Sequence, residues 1–412
     1  MAKPKLCLIP SGVADNQVFS VLPSNGDGDF NFTRGTVSTR VNSQGLIETV
    51  SNDLPRLNYP LIDGVISGCP SLLLENSATN SVTYSEDFSN SSWLTTGLIV
   101  SGGGVSPDGT LNSKTITNTS PSGIIQKAVS LTGARVLSVF AKKGTHRYLY
   151  MGGYGGTNSY VNFDLENGTV SNGNGNIENY GNGWYRCICL GIDGTTGGVQ
   201  IFPSNNSVGN STTTGSIQIY GCQLEQSYAT SYIPTTTQQE TRLAETCNGA
   251  GTSDTFSDSE GVLMVEMSAL ANDGTDRVLS LSDGSANNRI VLYYNSSNNL
   301  VAQVYSISNN LQGTITVTDL NITENSKVSV KYETSSIKLY LNGFLKGTQS
   351  IAVSAINLSE LDFDNGVGGA DFYGNTKQLQ YFDTTLTDSE LETLTSWVSF
   401  QEMAEGQLYS VE

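Results

Sequence analysis

The sequence predicts an all-β protein built from two antiparallel β-sandwiches of jelly-roll type, and three observations carry that expectation. Short β-branched and aromatic runs recur along the 412 residues, separated by turns drawn from 44 glycines and abundant Asn, Ser and Thr. That is the texture of strands and reverse turns, and long amphipathic helices are almost absent. Several runs alternate with period two: Trp184, Arg186, Ile188 and Leu190 share one face while Tyr185, Cys187 and Cys189 share the other, as successive side chains of a strand must. The chain also exceeds the roughly 250 to 300 residues at which a single core stops growing, so two or three domains are expected.

Residues 1–68 hold a few extended pieces, Gln17–Leu22 and Phe30–Val41 among them, joined by turns such as Asn25-Gly26-Asp27-Gly28. They contain too few apolar residues for a core of their own. The expectation is an extended amino-terminal arm that buries Phe30, Phe32 and Val41 against a neighbouring domain or another subunit.

The first sandwich is expected over 69–245. Its strands are read at Ser71–Leu74, Lys114–Thr117, Gly123–Val129, Arg135–Lys142, Arg147–Gly152, Tyr160–Asp164, Trp184–Ile192, Gly198–Phe202 and Ser216–Glu225. Asn167-Gly168 and Gly173-Asn174-Gly175 suit turns that need positive φ. After Leu224 the chain breaks at Ser227, Thr230, Ser231 and Pro234, because proline withdraws a ladder donor.

The second sandwich is expected over 246–400, beginning near Gly249 after a polar stretch that reads as a linker. Strands are read from Gly261, Arg277, Asn288, Leu300, Ser326 and Ile337, with a turn at Asn342-Gly343. Thr387 and Glu390 have the spacing of a capping box and open one short carboxy-terminal helix. Residues 401–412 remain as a tail.

Charge and composition exclude several classes. Twenty Lys plus Arg against 38 Asp plus Glu give a net charge of -18, which repels phosphate backbones and argues against nucleic acid as a partner. No segment approaches the roughly 20 apolar residues of a membrane span, so no membrane insertion is expected. The first residues, MAKPKLCLIPSG, lack the apolar core of a secretory signal, which points to assembly in a cytoplasm. The six cysteines are read as ordinary thiols, since Cys187 and Cys189 lie two apart on a strand and the others are isolated.

A catalytic constellation is not apparent. His146 is the lone histidine and falls in a turn, where a solvated imidazole is expected. Glycoside hydrolysis would need two facing carboxylates, for which Asp164 and Glu225 are the candidates, yet any acidic surface offers such pairs. The chain is therefore read as a non-enzyme.

Two groups of segments resemble known families. The stretch from Gly28 to Tyr59, GDFNFTRGTVSTRVNSQGLIETVSNDLPRLNY, followed by CPSLLLENSATNSVTYSEDFSNSSW, resembles an amino-terminal signature of bacteriophage tail-associated and fibre proteins. In them it usually reads D-F-x-F-x-R-A-S-x-A-T-R-V-N-x-x-G-L-I-E and ends P-R-L-D-Y; here Gly35 to Ser38 and Asn58 depart from it. The GWYR strand, the G-x-Q-L-E strand end and the exit segment T-S-Y-I-P-T…T-R resemble a carbohydrate-binding-like sandwich found in the same proteins. Further on, K-V-S-V-K-Y-E from Lys327 and K-L-Y-L-N-G-F from Lys338 resemble neighbouring strands of the laminin G and concanavalin A-like lectin sandwich.

These resemblances imply a virion structural protein, a tail or capsid fibre or decoration. Its arm would contact other virion proteins, and its sandwiches would meet host cell-surface glycans. Such fibres are commonly homotrimers, which turns weak sugar contacts into avidity. A tail-associated glycan depolymerase and a purely architectural subunit with degenerate lectin folds are the alternatives. Sugars are held by aromatic faces and amide or carboxylate hydrogen bonds, so Trp93, Tyr148, Tyr150, Tyr154 and Tyr160, on strands and loops rich in Gly and Asn, are the candidate glycan contacts. Trp184 and Trp397 are assigned to cores. No cofactor is expected. Calcium is left open at Asp362, Asp364 and Asn365 or at Asp254 and Asp258, although no EF-hand spacing is present.

Overall fold

The computed structural model describes residues 2–129, 133–155, 160–193, 197–306, 309–352, 356–399 and 401–403; most of the expected tail lies outside them. The chain is all-β, with multiple antiparallel sheets.

The first sandwich packs two six-stranded sheets face to face. One, the open sheet, runs Leu94–Thr96, Ile124–Ala128, Gly198–Ser204, Tyr148–Tyr154, Tyr160–Asp164, Thr169–Asn172. The other, the docked sheet, runs Leu98–Gly102, Lys114–Asn118, Ser216–Gln226, Ala134–Lys143, Trp184–Asp193, Gly175–Asn179. Alternation along each strand sends one set of side chains inward: Ile125, Leu149, Met151, Val161, Phe163 and Ile201 from the open sheet meet Leu137, Val139, Cys187, Cys189, Ile217 and Ile219 from the docked one. Cys187 and Cys189 are free and buried, as are Cys7, Cys222 and Cys247; Cys69 is free and exposed.

The second sandwich pairs a long sheet with a five-stranded one. The long sheet runs Phe344–Ser350, Ser336–Leu341, Ser326–Glu333, Glu260–Ala269, Gly374–Phe382, Ser71–Leu74, Arg56–Asn58. The turn read at Asn342-Gly343 joins Ser336–Leu341 to Phe344–Ser350, with φ of 50° and 86° as a two-residue hairpin needs. The helix Asp388–Thr395 begins with the expected capping box, Thr387 and Glu390 satisfying each other's backbone amides.

The amino-terminal residues bury Phe30, Phe32 and Val41 against the rest of the chain, and they do so as laddered strands rather than as a separate arm. Leu6–Leu8 pairs with Gly374–Phe382, Leu6 opposite Tyr381. Ser71–Leu74, read as the opening strand of the first sandwich, pairs instead with Gly374–Phe382 and with Arg56–Asn58. Phe30–Thr33 pairs with Thr246–Asn248, so the stretch read as a linker is itself laddered. Leu6, Leu8, Phe30, Phe32, Leu72 and Leu74 are consequently buried in the same core as Leu263, Leu279 and Leu379. Alternation identifies which face of a strand is apolar, but it does not identify a partner some 300 residues away.

A buried ionic clasp ties these pieces together. The Arg34 guanidinium donates to Glu245 at 2.7 Å, Arg56 Nε donates to the same carboxylate at 2.9 Å, and Arg56 Nη1 reaches Glu75 at 2.7 Å. Arg242 lies 3.1 Å from Glu75. Ser231 donates to Glu75 from both its amide and its hydroxyl, and the Glu75 amide donates to Glu245. All five charged side chains are at most 3% exposed. Burial alone would raise the Glu75 carboxyl, but the charges of Arg242 and Arg56 and the Ser231 bonds outweigh it and hold the group at about 2.

The clasp brings cover to the outer face of the docked sheet. The hairpin Ser38–Val41 with Ile47–Val50 and the exit segment around Tyr232 lie over that face, where Ile47, Phe140, Trp184, Tyr220 and Tyr232 form a small core. Trp184 Nε1 donates to the Val105 carbonyl at 2.9 Å. Trp397, also assigned to a core, is only half-buried and lies against the Lys327 ammonium, 4.3 Å from its ring centroid.

Removing one partner of a buried ion pair strands a desolvated charge, so Glu245→Gln is expected to cost about 3–5 kcal/mol in denaturant unfolding. For Glu75 the folded value lies below the ordinary 4.5. Its contribution to stability is therefore present above that value and lost as pH falls from there toward 2. Glu75→Gln should flatten the acid limb of the stability curve in that window.

Candidate functional site

With the docked sheet covered, the outer face of the open sheet is the broad surface left to the first sandwich. Along Tyr148–Tyr154, alternation turns Tyr148, Tyr150, Gly152 and Tyr154 outward while Leu149 and Met151 enter the core. Register then fixes their neighbours. Tyr150 lies between Asn162 and Phe202, and Gly152 lies between Tyr160 and Gln200. The Tyr150 and Tyr160 rings stack, with centroids 5.0 Å apart and planes at 23°, and Phe202 lies 5.4 Å from Tyr150.

At Gly152 this face carries no side chain. The Tyr160 hydroxyl reaches across its position to donate to Gln200 Oε1, and Gln200 Nε2 donates on to Gln126 Oε1 at 2.8 Å. Burial, with Tyr150 and Tyr154 beside it, pushes the Tyr160 phenol up to about 12, so it stays a neutral donor at physiological pH. Asn162 is fully buried at the edge of the patch; its Nδ2 donates to Asn206 O at 2.8 Å while its Oδ1 has no partner. Arg147 closes the far end, donating to Asp164 Oδ1 at 2.8 Å with its guanidinium 5.3 Å from the Tyr148 ring.

The result is an open patch of half-buried tyrosines bordered by amides. Such a surface can stack C–H faces and exchange hydrogen bonds with hydroxyls. Four of the five expected residues, Tyr148, Tyr150, Tyr154 and Tyr160, share it. Gln126, Gln200, Phe202, Asn162 and Gly152 were not singled out from sequence; their parity within each strand was legible, but the register that gathers them was not.

Trp93 is the exception. It is 4% exposed, its ring lies 4.9 Å from Phe88, and its Nε1 donates to the Tyr84 carbonyl at 3.0 Å. The Lys127 ammonium sits 5.3 Å from both the Tyr84 and the Trp93 rings. The Asn90 turn before it aims the indole into the sandwich end, and it is Leu94 that faces out. His146 also differs from expectation: it is 4% exposed, with Nε2 3.0 Å from Ser211 Oγ and the close-packed Gly215 against its ring.

Asp164 and Glu225 belong to different sheets, each with its own donors. Asp164 is held low by Arg147. Glu225, 1% exposed, accepts from Thr230 N at 2.9 Å, Thr230 Oγ1 at 2.7 Å and Gln223 Nε2 at 2.7 Å.

No family model and no curated protein matches this chain. Among solved structures it is similar to the CBM40 of the Ruminococcus gnavus IT-sialidase bound to α2,3-sialyllactose, with 15% identity over 36% of this chain and 94% of that one, at a TM-score of 0.31. Domain 4 of a GH43 extracellular arabinanase from Geobacillus stearothermophilus, in complex with arabinotriose, shares 14% identity over 41% of this chain and 82% of that one, at a TM-score of 0.30. A leech intramolecular trans-sialidase complexed with 2,7-anhydro-Neu5Ac shares 15% identity over 35% of this chain and 24% of its own length, at a TM-score of 0.29. At such scores the likenesses decide nothing about this chain, whose fold and site stand on its own strands and residues.

The residues left open for calcium mostly have protein donors. Asp364 accepts from Gly366 N and Asn248 Nδ2, Asn365 from Val367 N, and Asp258 from Leu358 N. No hydrogen bond joins Asp254 to Asp258; the Asp254 amide donates to Thr252 in a local turn. Among the described residues no group of three or more His, Cys, Asp or Glu is placed to hold an ion. Asp362 Oδ1 accepts from Gly249 N at 2.7 Å while Oδ2 has no partner; burial, with Glu360 and Asp364 adding, pushes the carboxyl to about 7. Because the folded value lies above the ordinary 3.8, folding favours the protonated form, and stability falls as pH rises through that interval. Asp362→Asn should leave unfolding unchanged near pH 3.5 and stabilise the protein at pH 8, by up to about 4 kcal/mol.

Proposed function

We propose that this protein binds glycans without turning them over, through the tyrosine and amide face of the open sheet, as part of a phage particle that attaches to its host. The observation that carries the binding reading is the asymmetry of the first sandwich: one outer face is covered by the clasp segments, and the other presents Tyr148, Tyr150, Tyr154 and Tyr160. The virion setting is supported by the resemblance of the segments from Gly28 to Tyr59 and from Gly181 to Glu245 to phage tail-associated proteins. Contacts with other virion proteins fall to exposed apolar residues near the amino terminus, Ile9, Phe19 and Val21. A homotrimer would multiply individually weak sites into firm adsorption. The non-enzymatic reading is favoured over a depolymerase by the separate engagement of Asp164 and Glu225.

Tyr150→Ala with Tyr160→Ala should lower adsorption to host cells at least tenfold while circular dichroism and the melting temperature change little, since half-exposed rings add contact area more than core packing. Trp93→Ala should behave oppositely, losing about 3–5 kcal/mol of stability as a buried aromatic does. Unchanged adsorption by the double variant would remove the open face from the binding role. Release of oligosaccharides that depends on Asp164 would replace binding with hydrolysis.

A further inference from the structure

Beside the clasp, the two sandwiches leave a cleft between them. Its smaller part, about 190 Å³, is bordered by Asn58 from the amino-terminal signature, Glu178, Tyr180 and Arg186 from the edge of the docked sheet, Ser231 from the exit segment, and Asn375 from the long sheet. Asn58, Glu178 and Tyr180 also border a wider opening of about 520 Å³ that continues past Tyr59 and Tyr185, within the roughly 300 to 1,000 Å³ typical of small-molecule sites. One end is shut by close packing: a side chain at Gly64 would come within 2.4 Å of Gly181 N, so the hairpin around it lies directly on the edge of the first sandwich.

The groups around this space select among ligands. Arg186 Nη2 is engaged with the Thr230 carbonyl at 2.7 Å and Ser138 Oγ at 3.1 Å, with its guanidinium 5.7 Å from the Phe140 ring. Arg40 is paired with Glu48. Arg40 is thereby neutralised, while Arg186 Nε stays buried without a partner, so discrimination against an anion falls to the carboxylates. Glu178, on an exposed edge strand, and Asp63 at the wider opening add carboxylates that repel one. Hydroxyl donors suit those carboxylates. Asn58, whose Oδ1 accepts from Val41 N at 2.8 Å, keeps its Nδ2 for donation, and the Tyr180 and Tyr185 rings supply apolar surface.

We propose that this cleft is a second glycan site, taking a neutral saccharide unit whose hydroxyls donate to Glu178 and whose apolar face lies on the tyrosines. The inference shares the glycan-binding reading but not the open face that carries it. The test is calorimetric titration of the full chain, with neutral gluco-, galacto- and manno-configured trisaccharides as probes and sialyllactose as the anionic comparison. Wild type, Tyr150→Ala/Tyr160→Ala, Glu178→Gln and Glu178→Arg are compared, each checked for an unchanged melting temperature.

Two sites are expected in the wild type for a neutral trisaccharide and one in the tyrosine variant. That remaining site should weaken about tenfold in Glu178→Gln, as loss of a charged hydrogen bond predicts, vanish in Glu178→Arg, and take no sialyllactose. Binding that disappears in the tyrosine variant and ignores Glu178 would overturn the cleft site and leave the open face standing. Loss confined to the Glu178 variants would support the cleft and remove the open face. A wild type that binds none of the probes would overturn both.

Discussion

Three arginines and two glutamates, buried together, set the arrangement on which the rest of this molecule depends. Arg34 and Arg56 come from the amino-terminal signature, Glu75 from just after it, and Arg242 and Glu245 from the exit of the first sandwich. Desolvating five charges is costly, and the cost is offset only while every partner is in place. Such a cluster is poor as a source of raw stability and strong as a specifier of one arrangement. Here it holds the start of the chain, the first sandwich and the second sandwich in a single register.

That register decides which surfaces the molecule can offer. The segments fixed by the clasp cover the docked sheet with Ile47 and Tyr232, turning what would be a solvent face into a second small core. They also complete the second sandwich, which takes Leu6, Phe30 and Leu72 into its interior. The open sheet is left outward, with its stacked Tyr150 and Tyr160 and the Gln200–Gln126 chain beside them. The inter-sandwich cleft arises from the same placement, since its walls come from pieces that only the clasp brings together.

Much of this was legible in the sequence, for reasons that can be named. Alternation marked both faces of Trp184–Asp193, the hairpin at Asn342-Gly343 followed from turn chemistry, and the Thr387 capping box followed from spacing alone. These are local signals. The signature residues stood out as a resemblance, but nothing local says that Arg34 meets Glu245, 211 positions away. Strand partners fail for the same reason, which is why Ser71–Leu74 was read into the wrong sandwich, and why the burial of Phe30 and Phe32 was legible while their pairing with Thr246–Asn248 was not. At the site, parity put Tyr148, Tyr150 and Tyr154 on one face, whereas Trp93 and His146 misled because a short polar turn says little about which way the next side chain points.

The clasp and the shared amino-terminal strands make the two sandwiches one cooperative unit. Scanning calorimetry of the full chain tests it directly, by comparing the calorimetric and van't Hoff enthalpies of unfolding. A single transition in which the two enthalpies agree is expected for all 412 residues. Two resolved transitions, each with the enthalpy of one sandwich, would contradict it.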